Sequence, residues 1–117
     1  VGWTDWNILL DHTGGPNHVQ NFCFAPIHAD TRTGELIYTP TYYYIGHFSK
    51  FVRPEAQRIS TSSSRSFLLA TSFVNTDNQM ATIVMNHTDK PVDYNFFVGE
   101  GQTKLTIPPR AMQTLVY

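Results

Sequence analysis

The second half of this 117-residue chain is a series of short apolar segments separated by clusters of turn-forming residues. Pro, Gly, Asn and Asp are concentrated in the gaps, where they favour turns. Val92, Tyr94 and Phe96 alternate with Asp93, Asn95 and Phe97, which is for the most part the pattern of a half-buried strand. Short strands at this spacing predict an antiparallel β-sandwich over residues 56–117. The predicted strands are 67–75, 80–86, 92–98, 104–107 and 112–117.

The first half of the chain has a different pattern, with aromatic runs and long stretches of loop residues. Val1 to Leu10 is apolar and aromatic, which predicts a buried strand followed by its exit. Residues 12–17 are a dense cluster of turn residues and therefore a loop. Val19 to His28 and Glu35 to Thr39 are extended in character and are separated by a second turn cluster at 30–34. These two pieces are predicted to pair as a hairpin.

A helix is predicted over residues 41–51, because apolar residues recur there at helical spacing. Pro40 stands just before this segment and Pro54 just after it, and both are plausible helix boundaries. The run from Tyr42 to Tyr44 has poor intrinsic helix propensity, so we expect tertiary packing to support the helix. The residues at helical spacing are Tyr44, Phe48 and Phe51.

Composition excludes several classes of function. The formal net charge is −1 and charged residues make up 15% of the chain, which gives no electrostatic basis for binding nucleic acid or an anionic membrane. The apolar runs are too short to predict a transmembrane segment. Cys23 is the one cysteine, so neither an intrachain disulfide nor a zinc site built from cysteines alone is possible.

The titratable residues do not form a self-contained catalytic or metal-binding pattern. Of nine acidic residues, only Asp5 lies in an apolar and aromatic run, where a buried carboxylate must be paired or hydrogen-bonded. Asp93 alternates onto the polar face of a strand. None of the five His has the helical i,i+4 spacing of a zinc site, so we predict no metal and no cofactor. The other acids are in turns or beside Pro, Gly or Lys: Asp11, Asp30, Glu35, Glu55, Asp77, Asp89 and Glu100.

Two tryptophans near the start of the chain, Trp3 and Trp6, are three residues apart. In a strand this spacing points them to opposite faces, so that one can enter a core while the other faces a cleft. Packing of both rings in a core is the alternative interpretation. Asp5 and Asn7 flank Trp6, and polar groups beside an aromatic ring favour a sugar-binding site.

Asn86-His87-Thr88 matches the acceptor pattern for N-glycosylation. The triplet lies in a predicted turn, where we expect the Asn side chain to be accessible. The pattern is weak by itself because such triplets are frequent by chance.

Four motifs resemble a known family in order and spacing. They are Val-Gly-Trp-Thr-Asp-Trp-Asn at 1–7, Gly-Gly-Pro-Asn at 14–17, Asn21-Phe22, and Gly-His-Phe-Ser-Lys-Phe at 46–51. Together they resemble the C-terminal third of the glucosylceramidases and their relatives in glycoside hydrolase family 30. The resemblance covers roughly the first half of the chain, and beyond it only the pattern of short strands is similar.

The resemblance implies a fold and a set of site residues. In this family a (β/α)8 barrel carries two catalytic Glu residues, and both lie upstream of the segment that this chain resembles. Residues 1–55 are then expected to be the C-terminal end of the barrel, with its last strand, a hairpin excursion and its last helix. Residues 56–117 are expected to be the β-sandwich domain. The chain is therefore mainly β.

Three residues take expected roles from the same resemblance. Trp6 matches an aromatic that lines the glucose-binding subsite, and Asn21 matches a loop Asn that borders it. Asp5 matches a buried acid that supports the strand and is not catalytic. His18 stands where the animal lysosomal enzymes have an aromatic, and the stretch 30–35 is more similar to bacterial members, some of which cleave β-glucans.

The resemblance implies a fragment of a retaining β-glycosidase that hydrolyses β-glucosidic bonds, with the barrel remainder as its partner and a β-glucoside or glucan as substrate. The apolar and aromatic start is expected inside a longer protein. The implied location is lysosomal for an animal protein, and secreted, periplasmic or cell-surface for a bacterial one. The alternative is a non-catalytic carbohydrate-binding or structural β module.

Overall fold

The computed structural model describes residue 2 and residues 4–117. The chain divides into two compact units, Val1–Gly46 and His47–Tyr117. The first unit has a three-stranded sheet in the order β1-β2-β3, with β1 parallel to β2 and β2 antiparallel to β3. The strands are β1 (Leu9–Asp11), β2 (Ile27–Asp30) and β3 (Glu35–Tyr38).

The strand predicted over Val1 to Leu10 is corrected to the short β1, and residues 4–9 are exposed. The ladder between β1 and β2 begins at Leu9 and Ile27, with one further bond from the Ile27 N–H to the Ile8 carbonyl. Pro26 precedes Ile27 and has no N–H to donate, so the parallel ladder ends there. The expected burial of Trp3 lies outside the described residues.

The predicted hairpin is confirmed, although its strands are shorter than the extended pieces. Asp30 pairs with Glu35 across a turn in which Gly34 has a φ of +77° and donates its N–H to the Asp30 carbonyl. Residues 19–26 are irregular rather than extended strand. Residues 12–26 therefore form one long connection between two parallel strands, which cannot be joined by a tight turn.

The second unit is an antiparallel β-sandwich, as predicted. A four-stranded sheet in the order β4-β5-β6-β9 faces a two-stranded sheet of β7 and β8. The turn before β8 contains only Gly99 and Glu100, with Gly99 at a φ of +56°, so β8 begins at Gly101 rather than Lys104. The strands are β4 (Gln57–Ile59), β5 (Leu68–Val74), β6 (Met80–Asn86), β7 (Val92–Val98), β8 (Gly101–Ile107) and β9 (Met112–Val116).

The core of the sandwich lies between the two sheets. Leu68, Val84 and Ile107 form its buried cluster, and Ile107 has an exposed fraction of 0%. The alternation predicted for β7 is confirmed, since Val92 and Tyr94 pack against this cluster while the intervening side chains are exposed. Side-chain alternation across the pleat thus gives β7 one face toward the core and one face toward solvent.

The helix α1 (Pro40–Ser49) confirms the predicted helix and ends two residues before the predicted boundary at Phe51. No residue of α1 is buried. The last turn belongs to the second unit, where His47 Nδ1 lies 2.8 Å from Thr114 Oγ1 and the Phe48 ring meets Phe73 edge-on. The expected tertiary support therefore comes at the C-terminal end of the helix.

Asn86 is the last residue of β6, and its predicted accessibility is wrong. Its exposed fraction is 0%. Its Nδ2 donates to the carbonyls of Lys90 and Pro108 at 2.7 and 2.9 Å, and its Oδ1 accepts the N–H and hydroxyl of Thr88. The chain after β6 folds back over this side chain and supplies the carbonyls to which its amide donates. No room is left for a glycan on Nδ2 in the folded protein.

Candidate functional site

Trp6 and Asn21, the two predicted sugar-binding residues, both belong to the first unit and both are exposed. Trp6 lies before β1, and 88% of its surface is exposed. Asn21 lies in the long connection between β1 and β2. Among the described residues no hydrogen bond or ring contact joins Trp6 to Asn21, so their common site stays a prediction.

Asp5 is exposed, in contrast to the expected burial. Its Oδ1 accepts the N–H of the adjacent Trp6 at 2.9 Å. The expected burial depended on a long strand with neighbours on both sides, and residues 4–8 are not part of a strand in this chain. The local bond nevertheless restrains the backbone at Trp6, and the supporting role of Asp5 stays a prediction.

Asp11 organises the start of the connection between β1 and β2. Its Oδ1 accepts the N–H and hydroxyl of Thr13 at 2.8 and 2.6 Å and the N–H of Gly15 at 2.9 Å. These bonds, led by the one from the Thr13 hydroxyl, hold the pKa of Asp11 below its ordinary value. The sequence suggested a solvated turn acid, but this carboxylate has a defined structural task.

Gly14 allows two parts of the connection to approach closely. It has a φ of +81°, and a Cβ placed on it would lie 2.4 Å from the backbone nitrogen of Cys23. The Gly14 carbonyl accepts the Cys23 N–H at 3.3 Å and the Asn17 amide at 3.1 Å. The left-handed conformation and the lack of space both require glycine.

His28 in β2 anchors the same connection from the sheet. It is buried, its Nδ1 lies 2.9 Å from the Asp11 carbonyl, and its Nε2 accepts the N–H of Ala25 at 3.2 Å. Since a carbonyl can only accept, Nδ1 carries the proton and the ring is in one neutral tautomer. The Phe22 ring stacks on it at 5.6 Å.

Sequence reasoning missed Asp11, Asn17 and His28 as residues that shape this connection. One available signal was the His between Ile27 and Ala29, because a His in an apolar strand needs hydrogen-bond partners when it is buried. Another was the Asp placed shortly before a Gly-Gly-Pro cluster, since Asp side chains commonly bond to backbone N–H groups in turns.

The connection also carries large exposed apolar side chains. Phe24 is 85% exposed, and Val19 and Phe22 are more than half exposed. The Phe22 and Phe24 rings meet edge-on at 4.8 Å, so this part of the connection presents an apolar patch rather than single scattered side chains. Such surface is typical of a ligand or protein contact region.

A separate cleft of about 800 Å³ lies in the second unit, between the loop that contains Ser60 to Ser64, strand β7 and the inner face of the four-stranded sheet. Its floor includes Ser72 and Thr82, whose hydroxyls lie 2.7 Å apart, and Tyr117, whose hydroxyl lies 3.0 Å from that of Thr82. All of its lining residues come from the second unit, whereas Trp6 and Asn21 belong to the first.

Among residue 2 and residues 4–117, no group of three or more His, Cys, Asp or Glu side chains is arranged to hold a metal ion. Within the same residues, no helix has both the length and the apolar character needed to cross a bilayer.

Two family models divide the chain between them. Residues 1–52 match the TIM-barrel domain of glycosyl hydrolase family 30, and residues 55–115 match the beta sandwich domain of the same family. The chain belongs to glycosyl hydrolase family 30. The family resemblance expected from the four sequence motifs is thereby confirmed.

The curated relatives that this chain matches are named as glucosylceramidases. The chain is 38% identical to lysosomal acid glucosylceramidase of Mus musculus over 93 residues. The aligned segment covers 79% of this chain and 18% of the relative. It is 32% identical to putative glucosylceramidase 3 of Caenorhabditis elegans, over 100% of this chain and 23% of the relative. The chain thus spans less than a quarter of the length of these family 30 relatives.

Two solved structures have the same fold over this segment. The crystal structure of SrfJ from Salmonella typhimurium matches with a TM-score of 0.92 and 37% identity, covering 97% of this chain and 25% of that one. The endo-β1,6-glucanase BT3312 matches with a TM-score of 0.81 and 26% identity, covering 93% and 25%. Because 38% and 37% are nearly equal, a closer relation to bacterial than to animal members stays a prediction.

Proposed function

We propose that this chain is the C-terminal part of a retaining β-glycosidase that hydrolyses β-glucosidic bonds. The observation that carries the proposal is the match of residues 1–52 to the family 30 TIM-barrel domain, in the same segment that holds the exposed Trp6 and Asn21. In retaining enzymes one carboxylic acid protonates the leaving group and a second carboxylate forms a glycosyl-enzyme intermediate. From the family resemblance we expect these two carboxyl groups to belong to Glu residues upstream of this segment.

The role of this chain is to complete the sugar pocket. The Trp6 indole offers a flat apolar surface to the C–H face of a pyranose, and the Asn21 amide can both donate to and accept from its hydroxyls. Asp5 fixes the backbone at Trp6 through the bond to its N–H. Residues 1–55 belong to the end of the barrel in this proposal, and residues 56–117 form the accessory sandwich.

The substrate is a β-glucoside. Glucosylceramide is supported by the glucosylceramidase names of the relatives, and a β-glucan is supported by the similarity to BT3312. The location follows the same division: lysosomal for an animal protein, as in the name of the mouse relative, and secreted, periplasmic or cell-surface for a bacterial one.

The test uses the full-length protein and the 117-residue chain side by side. We expect the full-length protein to hydrolyse an aryl β-glucoside and to release the β-anomer first, as followed by NMR. The chain alone should give no turnover above buffer. Release of the α-anomer would exclude retention, and turnover by the chain alone that is lost in Asp5→Asn would place the catalytic groups here. Binding of glucan without hydrolysis by the full-length protein would favour the carbohydrate-binding alternative.

A further inference from the structure

Asn17 lies four residues before Asn21 in the connection between β1 and β2, and its side chain bonds to three backbone groups of that connection. Its Nδ2 donates to the Asn21 carbonyl at 2.7 Å and to the Gly14 carbonyl at 3.1 Å. Its Oδ1 accepts the Val19 N–H at 3.2 Å. One side chain thus closes the segment 17–21 into a compact loop and ties it to Gly14.

Gly14 is itself fixed to the sheet. Its N–H donates to the Asp11 carbonyl at 3.0 Å, and the same carbonyl accepts from Nδ1 of the buried His28. The backbone of Cys23 approaches Gly14 so closely that a Cβ on Gly14 would clash with it. A continuous series of hydrogen bonds therefore runs from the ends of β1 and β2, through Gly14 and Asn17, to the backbone of Asn21.

Within the part of the chain that the structure describes, the side chain of Asn21 has little support of its own. Its Oδ1 lies 3.8 Å from Cys23 Sγ, a weak contact, and the residue is exposed. Its amide is therefore free to meet a ligand, but its direction depends on where the backbone is held. A binding group must be kept within about 0.5 Å of its productive position, which requires supporting hydrogen bonds.

We propose that Asn17 is a positioning residue that holds Asn21 where its amide meets the sugar. This inference rests on the proposed function of Asn21. Asn17 does not touch the substrate in this account. It acts through the carbonyl of Asn21, and the Asp11, Gly14 and His28 bonds give it a rigid base.

The experiment measures kcat and KM for an aryl β-glucoside with the full-length enzyme. Asn17→Asp removes the two donated bonds and keeps an oxygen for the Val19 N–H, while Asn17→Ala removes all three without adding charge. The matched control is Asn95→Asp on the exposed face of β7. Rates are normalised to active enzyme by titration with a covalent β-glucoside inactivator, so that only folded protein is counted.

We expect kcat/KM of both Asn17 variants to fall by up to about 100-fold, the scale of an ångström-sized misplacement of a substrate-positioning group. Asn95→Asp should leave it unchanged. The double variant Asn17→Ala with Asn21→Ala should be no worse than Asn21→Ala alone, because residues that act through one contact are non-additive.

The two hypotheses fail in different ways. If Asn21→Ala lowers kcat/KM but the Asn17 variants do not, or if the two effects add, the positioning role is wrong and the proposed function stands. If Asn21→Ala itself leaves kcat/KM unchanged, the sugar-binding role of Asn21 is wrong and Asn17 has nothing to position. An unchanged kcat/KM per active site, with only a lower yield of active enzyme, would also overturn the inference.

Discussion

Among the described residues of the first unit, Trp6, Phe22 and Phe24 face solvent, whereas in the second unit apolar side chains close around Ile107 and Val84. Leu10 and Ala25 are buried in the first unit, and hydrogen bonds of Asp11, Asn17 and His28 hold its long connection in place. The second unit can be stabilised mainly by burial, which is the dominant favourable term in folding. The first unit leaves its apolar surface available for contacts.

This comparison separates stability from activity. Substitutions in the sandwich core should lower the melting temperature and leave kinetics per folded enzyme intact. Substitutions at exposed residues of the first unit should lower activity and leave the melting temperature unchanged.

Ile107→Ala should produce the largest change. Truncating a fully buried Ile removes apolar burial and leaves a cavity between the two sheets, which costs about 2–5 kcal/mol. We expect a lower melting temperature by calorimetry and an unchanged kcat/KM per active site. The exposed Val98→Ala in β7 is the control and should change neither quantity. A loss of kcat/KM at full occupancy of the folded state would break the separation.

Trp6→Ala should act on activity. The side chain is exposed in this chain, so its removal loses little folding energy, but it removes the surface that would be buried against sugar. Burying an aromatic fully is worth about 1.5–3 kcal/mol, which corresponds to a fall in kcat/KM of about 10- to 150-fold. Kinetics and melting temperature are both measured. An unchanged kcat/KM would remove Trp6 from the pocket, and a large drop in melting temperature would give it a structural role instead.

Asn86→Asp tests the polar part of the sandwich core. The substitution keeps the oxygen that Thr88 bonds to and replaces the donating amide with an acceptor that faces the carbonyls of Lys90 and Pro108. Leaving such buried groups unsatisfied costs about 1–3 kcal/mol, and more if the carboxyl is charged. The melting temperature should fall, and it should fall less at low pH, where the carboxyl is protonated and can donate. Equal losses at both pH values would contradict this explanation.

His47→Gln should have the smallest effect, and only its pH dependence is diagnostic. Burial lowers the pKa of His47 below its usual 6.5, so the folded state binds fewer protons than the unfolded state. Its contribution to stability is complete above about pH 6.5 and is lost as the pH falls toward the lowered pKa. Gln can still bond to Thr114 but does not titrate. Below pH 6.5 the parent should lose stability that the variant does not lose, so the melting temperature of the variant should rise relative to that of the parent. A difference that stays constant with pH would contradict the pKa shift.

Local patterns predicted most of the second unit and the helix. Alternation in β7 and turn residues between strands depend on nearby positions, so the sequence was sufficient to identify them. The parallel pairing of β1 with β2 was not predicted, because it joins Leu9 to Ile27 across a long irregular connection. Burial of Asn86 was missed for the same reason: it depends on Lys90 and Pro108 folding back over the end of β6.

The candidate site was predictable only in part. The aromatic and the amide at Trp6 and Asn21 came from the family resemblance, and their roles stay predictions. The bonds from Asn17 and Asp11 go to backbone groups, whose positions depend on the path of the chain rather than on the identity of the partner residues. The sequence pattern does not specify that path, so the Asp before Gly14-Gly15-Pro16 could signal a turn bond at Asp11 but could not identify the groups that Asp11 and Asn17 bind.

Because Asn86 is fully buried in the folded protein, modification of the triplet Asn86-His87-Thr88 would report on the rate of folding. In a compartment that attaches glycans to nascent chains, the triplet is open to modification only until β6 and the residues after β8 come together over the amide. Occupancy at this position would then measure the interval between synthesis and closure of the sandwich. A chain that carried a sugar there would have been modified before the sandwich closed. The glycan would then prevent the Asn86 amide from bonding to the carbonyls of Lys90 and Pro108.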